Sequence, residues 1–281
     1  MTSAYASVGG LGADEPRARF LDLVAAEWIK LRSLRSTWIA YGATAPAVIA
    51  FNAGTAYDTY SHWPERGAAE RADFVRAGIP LQEAFTANAA MVMMLALGAI
   101  GALVILGEYS TGTIRTTFAA VPDRRSVMAA KTVVVTAVTS VFGSIVAGVS
   151  FVLTQTILDG RGAGVPISHP GALRVVVASA LLAPVCAVVG MAIGSVVRHT
   201  SATMIASVAV ILVLPLVFSD GRHWSAVAGH ATIYQAWLRL VDLGSPRTDF
   251  PWTTGGAWAV YAVWALAAAV LAVTSAQRRD Q

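Results

Sequence analysis

Six stretches of this chain contain no Asp, Glu, Lys or Arg and are almost wholly apolar: 37–56, 86–106, 132–153, 175–197, 202–218 and 256–274. An apolar run of about 18 residues or more is long enough to cross the hydrocarbon core of a bilayer as a helix. Lipid offers backbone N–H and C=O groups no partner, so a spanning segment must satisfy them within itself or within a closed barrel. Runs of this length exceed ordinary strands. The expected fold is therefore an all-α membrane protein with six transmembrane helices. The fifth run is the shortest and carries Pro215 near its end. The longest stretch outside the runs, 219–255, has 37 residues, below the roughly 50 that an independent domain needs. Residues 16–281 thus read as one membrane domain, and 1–15, rich in Gly, Ala and Ser, as a disordered tail. A mixed-charge segment precedes Thr37, so the first run is expected to stay as an anchor and not to be removed as a leader.

Charge gives the expected orientation. With both termini placed in the cytoplasm, the inner segments hold 12 Lys and Arg against seven acids, and the outer ones eight against nine. This is the positive-inside pattern. It accounts for the net charge of +4 without a nucleic-acid partner, and it suits a multi-pass protein of a bacterial inner membrane.

The chain holds no GxxxxGK[ST] phosphate loop, no HExxH, no CxxC and no GxSxG. It is not expected to be an enzyme or to bind a cofactor or metal of its own. Its single cysteine, Cys186, excludes an internal disulfide. No Asp, Glu, Lys or Arg lies inside a run, which counts against an ion-coupled transporter acting alone. Energy for any transport is expected from another subunit.

Ahead of the first run, Pro16 opens a segment with helical periodicity to about Arg35. Phe20, Leu23, Val24, Trp28, Leu31 and Leu34 share one face of it. An amphipathic helix with Trp and basic residues beside a span is expected to lie in the membrane interface (interfacial helix 16–35) among membrane lipids. Glu27 falls within the apolar face. A carboxylate there is costly unless paired, either with Lys30 or, across the fold, with a residue such as Arg115.

Between the second and third runs lies a polar loop, 107–125, with a helical pattern from Thr113 to Ala120. Ile114 and Phe118, four apart, form an apolar knob with Arg115 beside it. Pro122 ends the segment, Asp123 is placed to cap the following helix, and Arg124, Arg125 and Lys131 hold this end inside. Such a helix suits a groove on a partner.

Small residues at Gly190 and Gly194, and at Ser144 and Gly148, are spaced for close helix packing. Pro46, Pro184 and Pro215 are candidate kinks. Asn52, Asn88 and Gln155 lie in or beside runs and are expected either to bond a neighbouring helix or to line a translocation path. Segment 219–255 carries Ile233, Trp237 and Leu240 at helical spacing, with Trp224, Tyr234 and Trp252 nearby. It is expected to lie on the outer surface or to dip back into it.

Two strings carry a resemblance to a known family. One is Ala26-Glu27-Trp28-Ile29-Lys30-Leu31-Arg32-Ser33-Leu34-Arg35-Ser36-Thr37. The other is Glu108-Tyr109-Ser110-Thr111-Gly112-Thr113-Ile114-Arg115-Thr116-Thr117, followed by Val121-Pro122 and Arg124-Arg125. Both resemble ABC-2 type ABC transporter permeases, especially actinobacterial members, and the six-run layout resembles theirs over nearly the whole chain. The resemblance implies an export permease that pairs with a second permease copy or a related one, and with separate ABC ATPase subunits that bind ATP and Mg. It implies that the interfacial helix and the short helix after the second span meet those subunits. The implied coupling residues are Glu108, Tyr109, Thr113, Ile114, Arg115 and Phe118, supported by Glu27, Lys30 and Arg32. Segment 219–255 resembles the external helices of such permeases in position and length alone. A stand-alone secondary transporter or channel, and a membrane scaffold or immunity protein, are the other readings the residues allow.

Overall fold

The computed structural model describes residues 19–218, 222–243 and 250–275. The tail at 1–15, the expected helix start at Pro16, and Arg278 and Arg279 lie outside these residues. Helices account for the described chain, with no strand among the described residues. In order they are α1 (Phe20–Ser33), α2 (Arg35–His62), α3 (Ala68–Arg76), α4 (Ile79–Glu83), α5 (Ala87–Thr111), α6 (Thr113–Ala120), α7 (Arg124–Asp159), α8 (Ala172–Val197), α9 (Thr200–Val208), α10 (Leu214–Val217), α11 (His223–His230), α12 (Ile233–Val241) and α13 (Thr254–Ser275).

Among the described residues five stretches are long and apolar enough to cross a membrane: Ile79–Thr111, Arg124–Asp159, Ala172–Val197, Thr200–Val217 and Thr254–Ser275. They contain the second to sixth expected runs, except that the fifth ends one residue early, at Val217. The first run lies in α2, which has the length, 28 residues, but falls short of the apolar content of the others. Its polar residues explain this: Thr44, Asn52 and Thr59 are buried in the domain. The helix expected over 16–35 stops at Ser33 because Leu34 adopts an extended conformation (φ −81°, ψ 90°), and α2 begins at Arg35.

Helix α8 is the centre of the bundle, packed against α5, α7, α9, α12 and α13. Gly190 is what allows its contact with α5: a Cβ there would overlap the Gly98 carbonyl oxygen. The expected Gly190/Gly194 packing face therefore points at a helix of this chain. The Ser144/Gly148 face does not. Ser144 is exposed, and a Cβ on Gly148 would meet open space. Pro46 and Pro184 sit inside α2 and α8, which continue through them. Pro215 follows a π-helical stretch, Ala209–Val213. Lacking an N–H, it cannot serve the Ile211 carbonyl four residues back, so the regular ladder rearranges there.

Within 219–255, the described helices α11 and α12 pack alongside α8 and α13. Trp264, the eleventh residue of α13, donates its indole N–H to the Ala231 carbonyl at the α11–α12 turn, 2.8 Å away. At 1.5 Å per residue that turn lies about 15 Å along α13. Trp237 of α12 is fully buried and bonds Ser179 Oγ of α8 at 3.1 Å. The α11–α12 hairpin thus packs along α13 through its turn and against α8 through Trp237.

Candidate functional site

The junction of α1, α5, α6 and α7 is built from an anomaly on each of two apolar stripes. On α1, Leu23, Glu27 and Leu31 follow at intervals of four and are buried. On α7, Val127, Lys131, Val134 and Val135 are buried along one face. Docking α1 against α7 brings the stray carboxylate and the stray amine together, Glu27 4% and Lys131 2% exposed.

Lys131 Nζ donates to Glu27 Oε2 and, at 2.7 Å, to Glu108 Oε1 near the end of α5. Lys30 Nζ donates to Glu27 Oε1 at 2.7 Å and lies 3.4 Å from Glu108 Oε1. Two cations and two anions alternate, so each buried charge meets an opposite one. Only such pairing makes burial tolerable. Burial opposes the charge on Lys30, but its hydrogen bond to Glu27 and the nearby Glu108 charge outweigh it and hold its pKa above the ordinary lysine value. A small pocket opens beside the cluster between Leu31, Leu34, Val104 and Val135.

The α5–α6 turn is tied to the same cluster. Gly112, at φ 72°, takes the left-handed conformation that ends α5 and starts α6, a position that glycine occupies without steric cost. The Thr111 hydroxyl returns to the Gly107 carbonyl at 2.8 Å. Lys30 Nζ then reaches Thr117 Oγ1 of α6 at 3.3 Å. One amine therefore touches α1, α5 and α6. Asp123 caps α7 by accepting from the Ser126 backbone N–H at 3.3 Å and from its hydroxyl. Those bonds hold the Asp123 carboxyl below the usual aspartate range.

Of the residues the sequence singled out, Glu27, Lys30 and Glu108 meet directly. Glu27 pairs with Lys30 and Lys131, and its alternative partner Arg115 is exposed, with no ion pair to a described residue. The Ile114/Phe118 knob faces inward instead of out. Ile114 is 5% exposed, and Phe118 packs with Leu23, Val127 and Ala130 under the Arg124 guanidinium, 5.2 Å from its ring. The apolar pair is used to seat α6 on its own domain, which leaves Thr113 and Arg115 on the surface. Arg32 is exposed and away from the cluster. Tyr109 is half-buried with the Arg198 guanidinium 4.9 Å over its ring. Arg198 also donates to the Ser275 carbonyl at 3.3 Å, joining the ends of α5, α8 and α13. Lys131 was read only as a topological charge. A lone lysine on the buried stripe of α7 is the signal that would have placed it beside Glu27.

At the opposite end of the bundle, Asn52 donates to Ser150 Oγ at 3.0 Å and accepts from the Thr86 N–H at 2.9 Å. Gln155 donates to the Pro80 carbonyl at 2.8 Å and accepts from the Val165 N–H at 2.9 Å. Both are buried: Asn52 ties α2 to α7 and to the start of α5, and Gln155 ties α7 to α4 and to the loop that follows α7. Asn88 is exposed. Glu83 is buried and accepts from the Thr59 hydroxyl at 2.7 Å, while its Oε2 has no hydrogen-bond partner among the described residues.

No curated protein matches the chain. The model of a family described as ABC-2 family transporter protein matches residues 23–216. That match takes in α1, the charge cluster, α6 and every span through the π stretch, and with multiple apolar helices it makes this a multi-pass membrane protein of transport. The chain belongs to the ABC-2 transporter family.

Proposed function

We propose that the chain is the permease subunit of an ATP-driven exporter, with α2 as the first of six spans and both termini in the cytoplasm. The observation that carries this reading is the four-charge cluster, which locks α1, the end of α5 and the start of α7 into one unit while leaving Arg115 and Thr113 of α6 exposed. A separate ABC ATPase subunit, binding ATP and Mg, grips α6 through that surface. Displacement of α6 then reaches Lys30 through Thr117, and from Lys30 it reaches Glu27, Glu108 and Lys131. Because Glu27 and Lys131 are buried, they move together or leave a charge unpaired. A second permease copy, or a related permease, completes the pathway for an exported substrate. The chain itself performs no hydrolysis.

Isolation in mild detergent from the native cell, followed by identification of co-purifying subunits, tests this. The expected partner carries a phosphate-loop ATPase, and Arg115→Glu is expected to lower its recovery several-fold without changing membrane insertion. Normal recovery and transport with Arg115→Glu would place the coupling surface elsewhere. Isolation of an active transporter with no ATPase would overturn the reading.

A further inference from the structure

The face of α1 turned away from α7 is left uncovered by the described residues. Leu21, Trp28 and Ile29 are exposed on it, Leu21 at 76% and Ile29 at 67%. Trp38 and Ile39 of α2 are exposed just beyond, at 42% and 72%. Arg32 shares this face: at about 100° per residue, positions 21, 28 and 32 fall within about 40° of one another. Arg35 follows at the first residue of α2 and is also exposed. Neither arginine has an ion pair with a described residue. The two acids of α1 are committed elsewhere, Glu27 to the buried cluster and Asp22 to the Arg19 backbone N–H at 3.0 Å. The Trp38 indole N–H donates to the Arg32 carbonyl at 3.2 Å, which fixes the corner between the two helices.

The occupant must supply an apolar body and an anionic head. A guanidinium matches phosphate with paired donors, and indole rings settle where hydrocarbon gives way to head groups. An acidic protein surface would match the arginines but leave Leu21 and Ile29 in water. We propose that the α1–α2 corner is a binding site for an anionic phospholipid, with Arg32 and Arg35 on its phosphate and Leu21, Trp28 and Ile29 against its acyl chains. Arg32 thereby leaves the set of coupling residues. The site stands independently of the ATPase partner. It rests on the proposed orientation only for the leaflet, which is the cytoplasmic one.

The test is lipid retention by the purified full chain in an uncharged detergent, with phosphatidylglycerol and phosphatidylcholine added together and bound lipid read by native mass spectrometry. The wild type is expected to retain phosphatidylglycerol preferentially. Each arginine near an anionic surface is worth roughly fivefold in partition, so Arg32→Gln/Arg35→Gln is expected to lower the preference by roughly thirtyfold. Phosphatidylcholine retention should be unchanged, which also reports that the variant is folded. An Arg32→Lys/Arg35→Lys variant should keep most of the preference. An undiminished preference in the glutamine variant overturns the proposal. So does displacement of the lipid by inorganic phosphate at equal concentration, which would show an ion site without lipid. Loss of a co-purifying protein with unchanged lipid would assign the face to that protein and overturn it as well.

Discussion

Lys131 and Glu27, 104 residues apart in the chain, form an ion pair sealed from solvent where α1 docks on α7. Desolvating two charges costs several kcal/mol each, and their attraction restores this only with good geometry and further partners. Here Glu108 and Lys30 are those partners. The pair fixes which face of α1 meets α7 more than it adds to stability.

Removing one member should be far worse than removing both. Lys131→Met leaves Glu27 buried beside a single amine, and a loss of about 3–5 kcal/mol is expected. Glu27→Leu/Lys131→Met, which removes both charges, should recover most of that loss. Thermal unfolding in detergent, run as a double-mutant cycle, measures the coupling. Additive effects would mean that the two residues do not interact.

Gly190 and Gly148 provide a matched contrast. Gly190→Val places branched carbons against the backbone of α5, and failure to accumulate folded protein is expected. Gly148→Ala adds a methyl to open space and should shift the melting temperature little. Equal effects of the two changes would contradict the α5–α8 contact.

Glu83 has one carboxylate oxygen with no partner and little access to water. Glu83→Gln keeps an acceptor for the Thr59 hydroxyl and removes the buried charge, so stability at neutral pH should hold or rise by about 1 kcal/mol. A large loss would show that the charge itself is needed at that end of the bundle.

The Asp123 cap gives a pH dependence with a definite sign. Its folded pKa lies below the ordinary 3.8, so its contribution is complete above that value and is lost as pH falls through the folded pKa. Asp123→Ala should remove both the contribution and its acid limb, whereas Asp123→Asn, still a capping residue, should lose only the limb. Amide exchange in the first turn of α7, followed from neutral pH to about pH 3, reports it. Unchanged protection in Asp123→Ala would rule the cap out.

The spans were legible because charge-free runs of this length have few other destinations. Glu27 was legible as an anomaly, since a carboxylate on an apolar stripe needs an explanation. Its chief partner was hidden by sequence distance, and because Lys131 sat beside a span it passed for a topological charge. Ile114 and Phe118 show the reverse limit: an apolar pair four apart declares that something covers it, but not whether that is another protein or the chain's own Leu23 and Val127. The depth of the α11–α12 hairpin was equally hidden. Trp237 looks interfacial by residue type, and only Ser179 reveals that its indole N–H is satisfied inside the bundle.

Helix α7 runs from Arg124 to Asp159 with no proline and no break. Near one end it carries Lys131, and near the other Gln155, whose side chain clasps the Pro80 carbonyl and the Val165 N–H. The two residues are separated by about 36 Å of continuous helix. Were the helix to tilt as a rigid rod by about 5° about its midpoint, each grip would move by about 1.5 Å in opposite directions. Under such a motion, a displacement of the Lys131 charge contacts would be matched by an opposite displacement where Gln155 holds Pro80 and Val165.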